Sequence, residues 1–284
     1  MPSTTDDTPP ERRTSTPATA PITPTDADAE PRPQGRLRDK FRAEVRPRTE
    51  RQRRRLYVIA TALAVLGAAG FLVLLYDVLN HDGLAALDRP VQRAVEHYRS
   101  PQVTAVMIVL AAAFGPVAMP IIVLVTTVWW FLRSKHAWRP VVLAVTMLTG
   151  VILAEVIAHL VGRPRPPIDQ MLFGPDHTFS FPSGHVLGIA NFLLTGSYLL
   201  FSRSRNLARE ITGIIVAAVL LAVMCADRIY LGYHWPTDTL ASVCLALLEL
   251  GTVIAIDTWR TVSTPTRTAP ATARGPETTP AASG

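Results

Sequence analysis

Apolar residues dominate the middle of the chain in long uncharged runs that are separated by short polar segments. A helix needs about 20 apolar residues to cross a bilayer. The runs predict six membrane-spanning segments, at about residues 56–76, 103–132, 140–161, 183–202, 211–226 and 236–256. The second run is too long for one straight crossing, and Gly115-Pro116 within it predicts a kink, or an interfacial helix followed by a span.

The two ends of the chain have the opposite composition. Residues 1–55 and 259–284 are rich in Pro, Thr and charged residues and nearly lack large apolar side chains. Such segments bury too little apolar surface to offset their chain entropy. We therefore predict an all-α fold, a six-transmembrane-helix bundle at residues 56–258 with disordered N- and C-terminal tails.

The basic excess of the chain, 28 Lys and Arg against 22 Asp and Glu, lies beside the apolar runs. This placement indicates membrane topology rather than nucleic-acid binding, because cytoplasmic loops of membrane proteins are enriched in Lys and Arg. Residues 51–55, 133–139 and 202–209 are basic and fall on one side when the crossings are counted. We therefore predict an integral cell-membrane protein with both termini in the cytoplasm. Residues 162–182 and 228–234 then lie on the outer face.

The sequence "PSGH" (residues 182–185) opens the fourth apolar run. Unpaired N–H groups at a helix N-terminus attract anions. Ser183 is a suitable N-cap, and Gly184 lets an anion approach the main chain, with His185 at the rim. Taken alone, the tetrapeptide is explained about as well by an ordinary N-cap followed by an incidental histidine.

Two more segments bring cations and a second imidazole to the same face. Arg163 and Arg165 follow the third run, where arginines can also complement the helix dipole and reach lipid headgroups. Arg228 and His234 lie between the last two runs. His234 and Asp238 are four positions apart, so on a helix they share a face and the carboxylate can orient the imidazole as a nucleophile or base.

A metal site is the alternative use of such residues. His185, His234 and Asp238 are suitable metal ligands. The neighbouring arginines, however, repel a divalent cation and attract an anion. The sequence therefore favours a phosphate site with no metal and no cofactor. Cys225 and Cys244 lie in predicted spans and are interpreted as small hydrophobic residues.

These segments resemble the membrane-bound type-2 phosphatidic acid phosphatases, a family related to the vanadium haloperoxidases. The family pattern is Lys-x6-Arg-Pro, then Pro-Ser-Gly-His, then Ser-Arg-x5-His-x3-Asp. The chain matches it, in this order, at Arg165-Pro166, Pro182–His185 and Arg228-x5-His234-x3-Asp238. The resemblance covers about residues 158–238, and the six-helix layout extends it over the apolar block.

The resemblance implies a phosphohistidine mechanism. His234 would attack phosphorus, Asp238 would orient His234, and His185 would protonate the leaving oxygen and later activate water. The residues implied or predicted to hold the phosphate oxygens are Arg165, Arg228, Ser183, the Gly184 amide and Arg163. We expect a lipid phosphatase that acts on a lipid phosphate or diphosphate, such as undecaprenyl diphosphate or a phosphatidate-type lipid.

Two positions depart from the family pattern. Ala158 stands where the family has lysine, and Asp227 where it often has serine. Arg163 is the predicted replacement for the missing lysine charge, and Glu155 is expected to pair with His159 in a structural role. Two alternatives therefore stay open: a lipid phosphotransferase, and a catalytically impaired relative that binds phospholipid. The expected partners are a lipid phosphate and membrane lipids, with no nucleic acid and no prediction of oligomeric state.

Overall fold

The computed structural model describes residues 40–41, 46–202 and 206–263. These residues form eight α-helices: α1 (Glu50–Asn80), α2 (Asp88–His97), α3 (Pro101–Ala113), α4 (Ala118–Arg133), α5 (Trp138–Val161), α6 (Gly184–Phe201), α7 (Leu207–Tyr230) and α8 (Pro236–Thr261). A two-residue parallel pairing joins β1 (Arg46–Pro47) to β2 (Val262–Ser263). The predicted all-α fold is confirmed. Of the tails predicted as disordered at 1–55 and 259–284, residues 50–55 instead belong to α1 and residues 259–261 to α8, and the remainder lies largely outside the described residues.

Each of the six predicted segments corresponds to a helix or a helix pair. Among the described residues, α1, α5, α6, α7 and α8 are long and apolar enough to cross a membrane. Helices α3 and α4 form a pair bent by 48°, which makes a sixth crossing if it counts as one span. The bend lies at Gly115-Pro116, where the sequence predicted it, because proline interrupts the helical hydrogen-bond ladder.

Helices α1 and α8 pack with their backbones in direct contact. A Cβ atom added at Gly67 would lie 2.5 Å from Leu248 N, and one added at Gly251 would lie 2.5 Å from Ala60 O. No side chain fits at either position. Small residues permit this close approach between helices in a membrane, where van der Waals packing drives association. The close packing joins the first helix to the last.

A buried polar contact in the middle of the bundle ties α5, α6 and α8 together. Asn191 Nδ2 on α6 donates to Glu249 Oε2 on α8 at 2.9 Å, and Thr149 Oγ1 on α5 donates to the same oxygen at 3.5 Å. Buried apolar side chains such as Leu187 and Leu245 pack around these helices. The three helices are thereby fixed against one another, and their ends carry the candidate site.

The basic segments gather at one end of the bundle. Arg48 donates to the carbonyl oxygen of Ser202 at 3.1 Å, and the Arg260 guanidinium lies 4.3 Å from the Trp138 ring centre. Trp138 Nε1 also donates to Asp257 at 2.8 Å. We call this the basic end, and the opposite end, where α5 and α7 finish and α6 and α8 begin, the site end.

The chain between α1 and α3 covers the site end. A 3-10 helix (Gly83–Leu87) follows α1 and leads directly into α2. Helix α2 is held against the end of α7, where Gln92 Nε2 donates to Ile229 O at 3.3 Å. Beyond α2, Arg99 Nε donates to Tyr230 O at 3.0 Å. This segment therefore belongs to the wall around the candidate site.

Candidate active site

The three sequence motifs meet at the site end. Gly162 ends α5 in the left-handed conformation (φ 63°), which glycine adopts without a Cβ clash, and the chain turns into the proline-rich segment that carries Arg165. Ser183 starts α6, and His234 precedes α8. The structure brings Arg165 within 3.1 Å of His234. The predicted convergence of the helix ends is present.

His234 is held in one tautomer. Its side chain is buried, with 2% of the residue exposed, and Nδ1 lies 2.8 Å from the carbonyl oxygen of Ser180. A carbonyl oxygen only accepts hydrogen bonds, so Nδ1 carries the proton. Nε2 then has a lone pair, and it faces Arg165 Nη1 at 3.1 Å. The nitrogen available for nucleophilic attack is therefore Nε2.

Asp238 lies beside His234 without bonding to it directly. Its Oδ2 lies 3.7 Å from His234 Nδ1, which is long for a hydrogen bond but close enough for the carboxylate to interact with a positive charge on the ring when one forms. The same oxygen accepts the backbone N–H of Trp235 at 2.8 Å. The two side chains share a face as predicted. The direct hydrogen-bond acceptor, the Ser180 carbonyl, was missed by sequence reasoning.

The surroundings of His234 keep its ring neutral. Burial lowers the pKa of His234 well below its usual range, and the positive charges of Arg165 and Arg228 lower it further. The hydrogen bond to Ser180 opposes this shift without overcoming it. A neutral imidazole is the form that can attack an electrophile.

Arg165 is fixed by a set of acceptors on both sides. Its Nη1 donates to Tyr233 O at 2.8 Å, and its Nη2 donates to Thr178 Oγ1 at 2.8 Å. Nη2 also pairs with Asp176 at 3.1 Å. Burial raises the pKa of Asp176, but hydrogen bonds from Thr178 and the charge of Arg165 outweigh this effect and leave the pKa lowered. Arg165 is therefore oriented before any ligand arrives.

Arg228 is paired with its neighbour in sequence. Nε and Nη2 donate to Asp227 Oδ2 at 2.8 and 2.5 Å, and both residues are buried. The other carboxylate oxygen, Oδ1, has no hydrogen-bond partner among the described residues. The departure at Asp227 thus places a negative charge directly on Arg228. This lowers the positive potential of the site relative to a serine at that position.

The start of α6 contributes the third group of site residues, after the His234–Asp238 pair and the two arginines. Ser183 is buried, and its Oγ accepts the Val186 N–H at 3.5 Å, so the predicted N-cap is present. Gly184 is exposed, and His185 is half-buried. Within the described chain, His185 makes no hydrogen bond, although it lies within electrostatic range of Arg165 and Arg228. An imidazole without a fixed partner at this rim is available to a ligand.

Arg163 occupies a different position from the one predicted. Its Nη2 pairs with Asp88 Oδ2 at 2.5 Å, its Nη1 pairs with Asp238, and Nη1 also donates to Thr237 Oγ1 at 2.8 Å. The Arg163 guanidinium is therefore paired with two carboxylates, and it lies next to Asp238. This placement gives no support to Arg163 as a replacement for the missing lysine. Asp88 and Thr237 were not singled out by sequence reasoning.

The position of the missing lysine lies near the start of α6. Ala154, one turn before Ala158, has its Cβ 4.0 Å from the point where a Cβ on Gly184 would lie. Glu155 and His159 form the predicted pair, with His159 Nδ1 3.7 Å from Glu155 Oε2, and both side chains are largely exposed. Among the described residues, no group of three or more His, Cys, Asp or Glu side chains is placed to hold a metal ion.

Comparison with known proteins gives a consistent result. The PAP2 superfamily model matches residues 139–261. Phosphatidylglycerophosphatase B of Bacillus subtilis (strain 168) is 25% identical over 180 residues, which are 63% of this chain and 87% of that protein. Phosphatidylglycerophosphatase B of Escherichia coli (strain K12) is 33% identical over 81 residues, 28% of either chain.

A solved structure shares the fold. The crystal structure of a transmembrane PAP2-type phosphatidylglycerolphosphate phosphatase from Bacillus subtilis matches with a TM-score of 0.60 at 23% identity. The match covers 68% of this chain and 96% of that one. The matched sequence region contains the three motifs on which the resemblance was based. Residues 139–261 thus match the PAP2 superfamily, the type-2 phosphatidic acid phosphatases, and the comparisons together support an integral membrane lipid phosphatase of this kind.

Proposed function

We propose that this lipid phosphatase transfers the phosphoryl group of its substrate to Nε2 of His234 and then to water. The geometry of His234 carries the proposal. The Ser180 carbonyl holds the proton on Nδ1, and the lone pair of Nε2 faces Arg165 at 3.1 Å. A buried neutral imidazole beside a fixed guanidinium is suited to attack a phosphorus atom whose oxygens that guanidinium holds.

The first step makes one bond and breaks one. Nε2 of His234 bonds to phosphorus, the bond from phosphorus to the lipid oxygen breaks, and His185 gives its proton to that oxygen. The phosphohistidine retains the Nδ1 proton, so its ring carries a positive charge. Asp238, 3.7 Å from Nδ1, is placed to stabilise that charge.

The second step reverses the proton transfer. His185, now neutral, takes a proton from water as the water oxygen bonds to phosphorus, and the bond from phosphorus to Nε2 breaks. Inorganic phosphate leaves, and His234 returns to its neutral form. One residue serves as acid and then as base, as microscopic reversibility permits.

The phosphate oxygens bind to donors from three elements. Arg165 approaches from the α5 side and Arg228 from the end of α7, while Ser183 and the Gly184 amide lie at the positive end of the α6 dipole. Donors arranged in advance around the transferring group stabilise the charge that develops in the transition state. We assign Arg163 to the support of Asp238 rather than to phosphate binding.

The substrate we propose is a phosphate monoester of a glycerophospholipid, presented from the outer leaflet. The basic end fits the cytoplasmic side, which leaves the site end outside and both termini inside. The relatives named above are phosphatidylglycerophosphatases. Asp227 and Ala158 also reduce the cationic charge available to a ligand, which favours a monoester over a more highly charged diphosphate such as undecaprenyl diphosphate.

Phosphate release by the purified full-length chain tests this proposal. The protein in detergent with EDTA would be given phosphatidylglycerophosphate, phosphatidate and undecaprenyl diphosphate in parallel. We expect release of inorganic phosphate, fastest from a monoester and without an added alcohol. Dependence on an acceptor alcohol would identify a phosphotransferase. No release from any of the three lipids would overturn the proposal.

The pH dependence of turnover follows from the lowered pKa of His234. Only the neutral ring attacks, so kcat/KM falls on the acid side as the ring becomes protonated. A histidine with an ordinary pKa near 6.5 would lose activity below that pH. With its pKa depressed by burial and by Arg165, His234 stays neutral there, and we expect the acid limb to lie well below pH 6.5.

The measurement is kcat/KM against pH with a short-chain soluble substrate, after correction for the separately titrated ionisation of the substrate phosphate. An acid limb at or above pH 6.5 in the corrected profile would contradict the lowered pKa of His234.

A lysine at position 158 is expected to raise activity. Residues 154 and 158 share a face of α5, so a lysine at 158 extends toward the start of α6. One added charge-assisted contact to phosphate corresponds to about a tenfold gain in kcat/KM. Leu160→Lys, on the exposed end of the same helix, is the matched control and should leave kcat/KM unchanged.

The outcome also decides between the open alternatives. Equal gains in Ala158→Lys and Leu160→Lys would show a general charge effect. Turnover in Ala158→Lys but not in the natural chain would identify the natural chain as a catalytically impaired relative.

A further inference from the structure

We propose that Asp88 is a positioning residue of the active site, which acts on His234 through Arg163 and Asp238. The inference rests on the proposed function, because it concerns the same histidine. Asp88 is the first residue of α2 and lies outside residues 139–261, the part of the chain that the family model matches. The site therefore includes a component from a segment that precedes the matched region.

Asp88 is a fully engaged buried carboxylate, with 2% of the residue exposed. Its Oδ2 accepts from Arg163 Nη2 at 2.5 Å and from Thr237 Oγ1 at 2.6 Å. Its Oδ1 accepts the Thr237 backbone N–H at 3.0 Å. A charge removed from water is stable only with such partners, so this carboxylate is not an ordinary solvated end of a surface helix.

The contact with Thr237 caps α8 from another helix. Thr237 is the second residue of α8, and an N–H at this position has no partner within its own helix. The residue before α8 is Trp235, whose side chain has no oxygen to accept that N–H. Asp88 supplies the acceptor and places a negative charge at the positive end of the helix dipole. Asp238, the next residue, is thereby held in place.

The contact with Arg163 sets the charge around Asp238. Arg163 bridges the two carboxylates, so the three groups together carry one net negative charge. Without Asp88, the positive charge of Arg163 would be balanced by Asp238 alone. Asp238 would then stabilise the positively charged phosphohistidine ring less well. The expected consequence is slower chemistry with little change in substrate binding.

The test compares Asp88→Asn with Asp82→Asn. Asparagine keeps the size of the side chain but removes the charge. Asp82 is an exposed carboxylate on the same segment and serves as the matched control. We expect Asp88→Asn to lower kcat by about 10- to 100-fold, as is typical when a residue that orients a catalytic side chain is replaced. KM should change by less than about threefold. Asp82→Asn should behave as the natural chain does.

A double-mutant cycle shows whether the effect passes through Arg163. In an Arg163→Gln background, Asp88→Asn should lower kcat by less than about twofold more, since the bridge is already lost. Full additivity of the two changes would contradict the proposed connection. If Asp88→Asn does not fold, Arg163→Gln alone removes the bridge and keeps the contact of Asp88 with the Thr237 backbone N–H. An unchanged kcat in that variant would overturn the proposal.

A readout that needs no turnover separates this inference from the proposed function. The ¹⁵N resonances of His234 are identified by their loss in His234→Asn. Asp88→Asn should shift them, and Asp82→Asn should not. Unshifted resonances would overturn the role of Asp88 even in an active enzyme. A natural chain that releases no phosphate would refute the proposed function, while the resonances would still decide on Asp88.

Discussion

Replacing His234 by Asn is expected to abolish phosphate release, with kcat lowered by about 10⁴-fold or more, as for other catalytic nucleophiles. Asparagine can still donate to the Ser180 carbonyl, so the buried hydrogen bond at 2.8 Å has a substitute. It has no lone pair on nitrogen that can form a bond to phosphorus. The loss should therefore appear in kcat rather than in folding, as measured by phosphate release and by thermal unfolding of the purified protein in detergent.

His159→Asn is the matched control for this experiment. His159 lies on α5 near the same end of the bundle, but its side chain is largely exposed, pairs with Glu155 and contacts the edge of the Phe179 ring. Its replacement should leave kcat within about twofold of the natural value, as surface substitutions generally do. Rapid quenching of the natural enzyme should yield a phosphoprotein that His234→Asn cannot form. Turnover that survives in His234→Asn would refute the phosphohistidine route.

The sequence was sufficient to predict most of the helical architecture. Uncharged runs of about 20 residues must form helices in a bilayer, because no water is available to satisfy the backbone. The same constraint made the bend at Gly115-Pro116 predictable, since only a break allows so long a run to fit. The spacing of His234 and Asp238 likewise predicted their shared face, because helix geometry fixes which residues are neighbours.

The contacts that fix the site were not predictable from the sequence. The acceptor for His234 is a backbone carbonyl, at Ser180, and every residue has one. Asp88 is 75 positions from Arg163 and 149 positions from Thr237 in the sequence. Their contacts therefore depend on how α2 packs against the other helices. From the sequence, the charge and location of Arg163 predict that it binds phosphate. Its two carboxylate partners became apparent only from the structure.

The same structure shows that the cations of the site are already paired. Arg165 forms a salt bridge with Asp176, Arg228 forms one with Asp227, and Arg163 pairs with two carboxylates. A phosphate group must therefore compete with carboxylates for its donors. Arg165 differs from the other two because it also contacts His234, and it is the cation closest to the bond that forms.

Replacing Arg165 by Lys is therefore expected to lower kcat/KM by about 10²- to 10³-fold, the cost of removing one donor to the transition state. Arg165 donates to Tyr233 O and Thr178 Oγ1, and it also contacts His234 Nε2. These contacts all come from one rigid planar guanidinium group. A lysine ammonium is a single point charge that cannot reach all of these positions. Measurement of kcat/KM with Arg89→Lys, an exposed arginine on α2, provides the control. A loss of less than about threefold in Arg165→Lys would show that charge alone suffices and that the planar fork has no catalytic role.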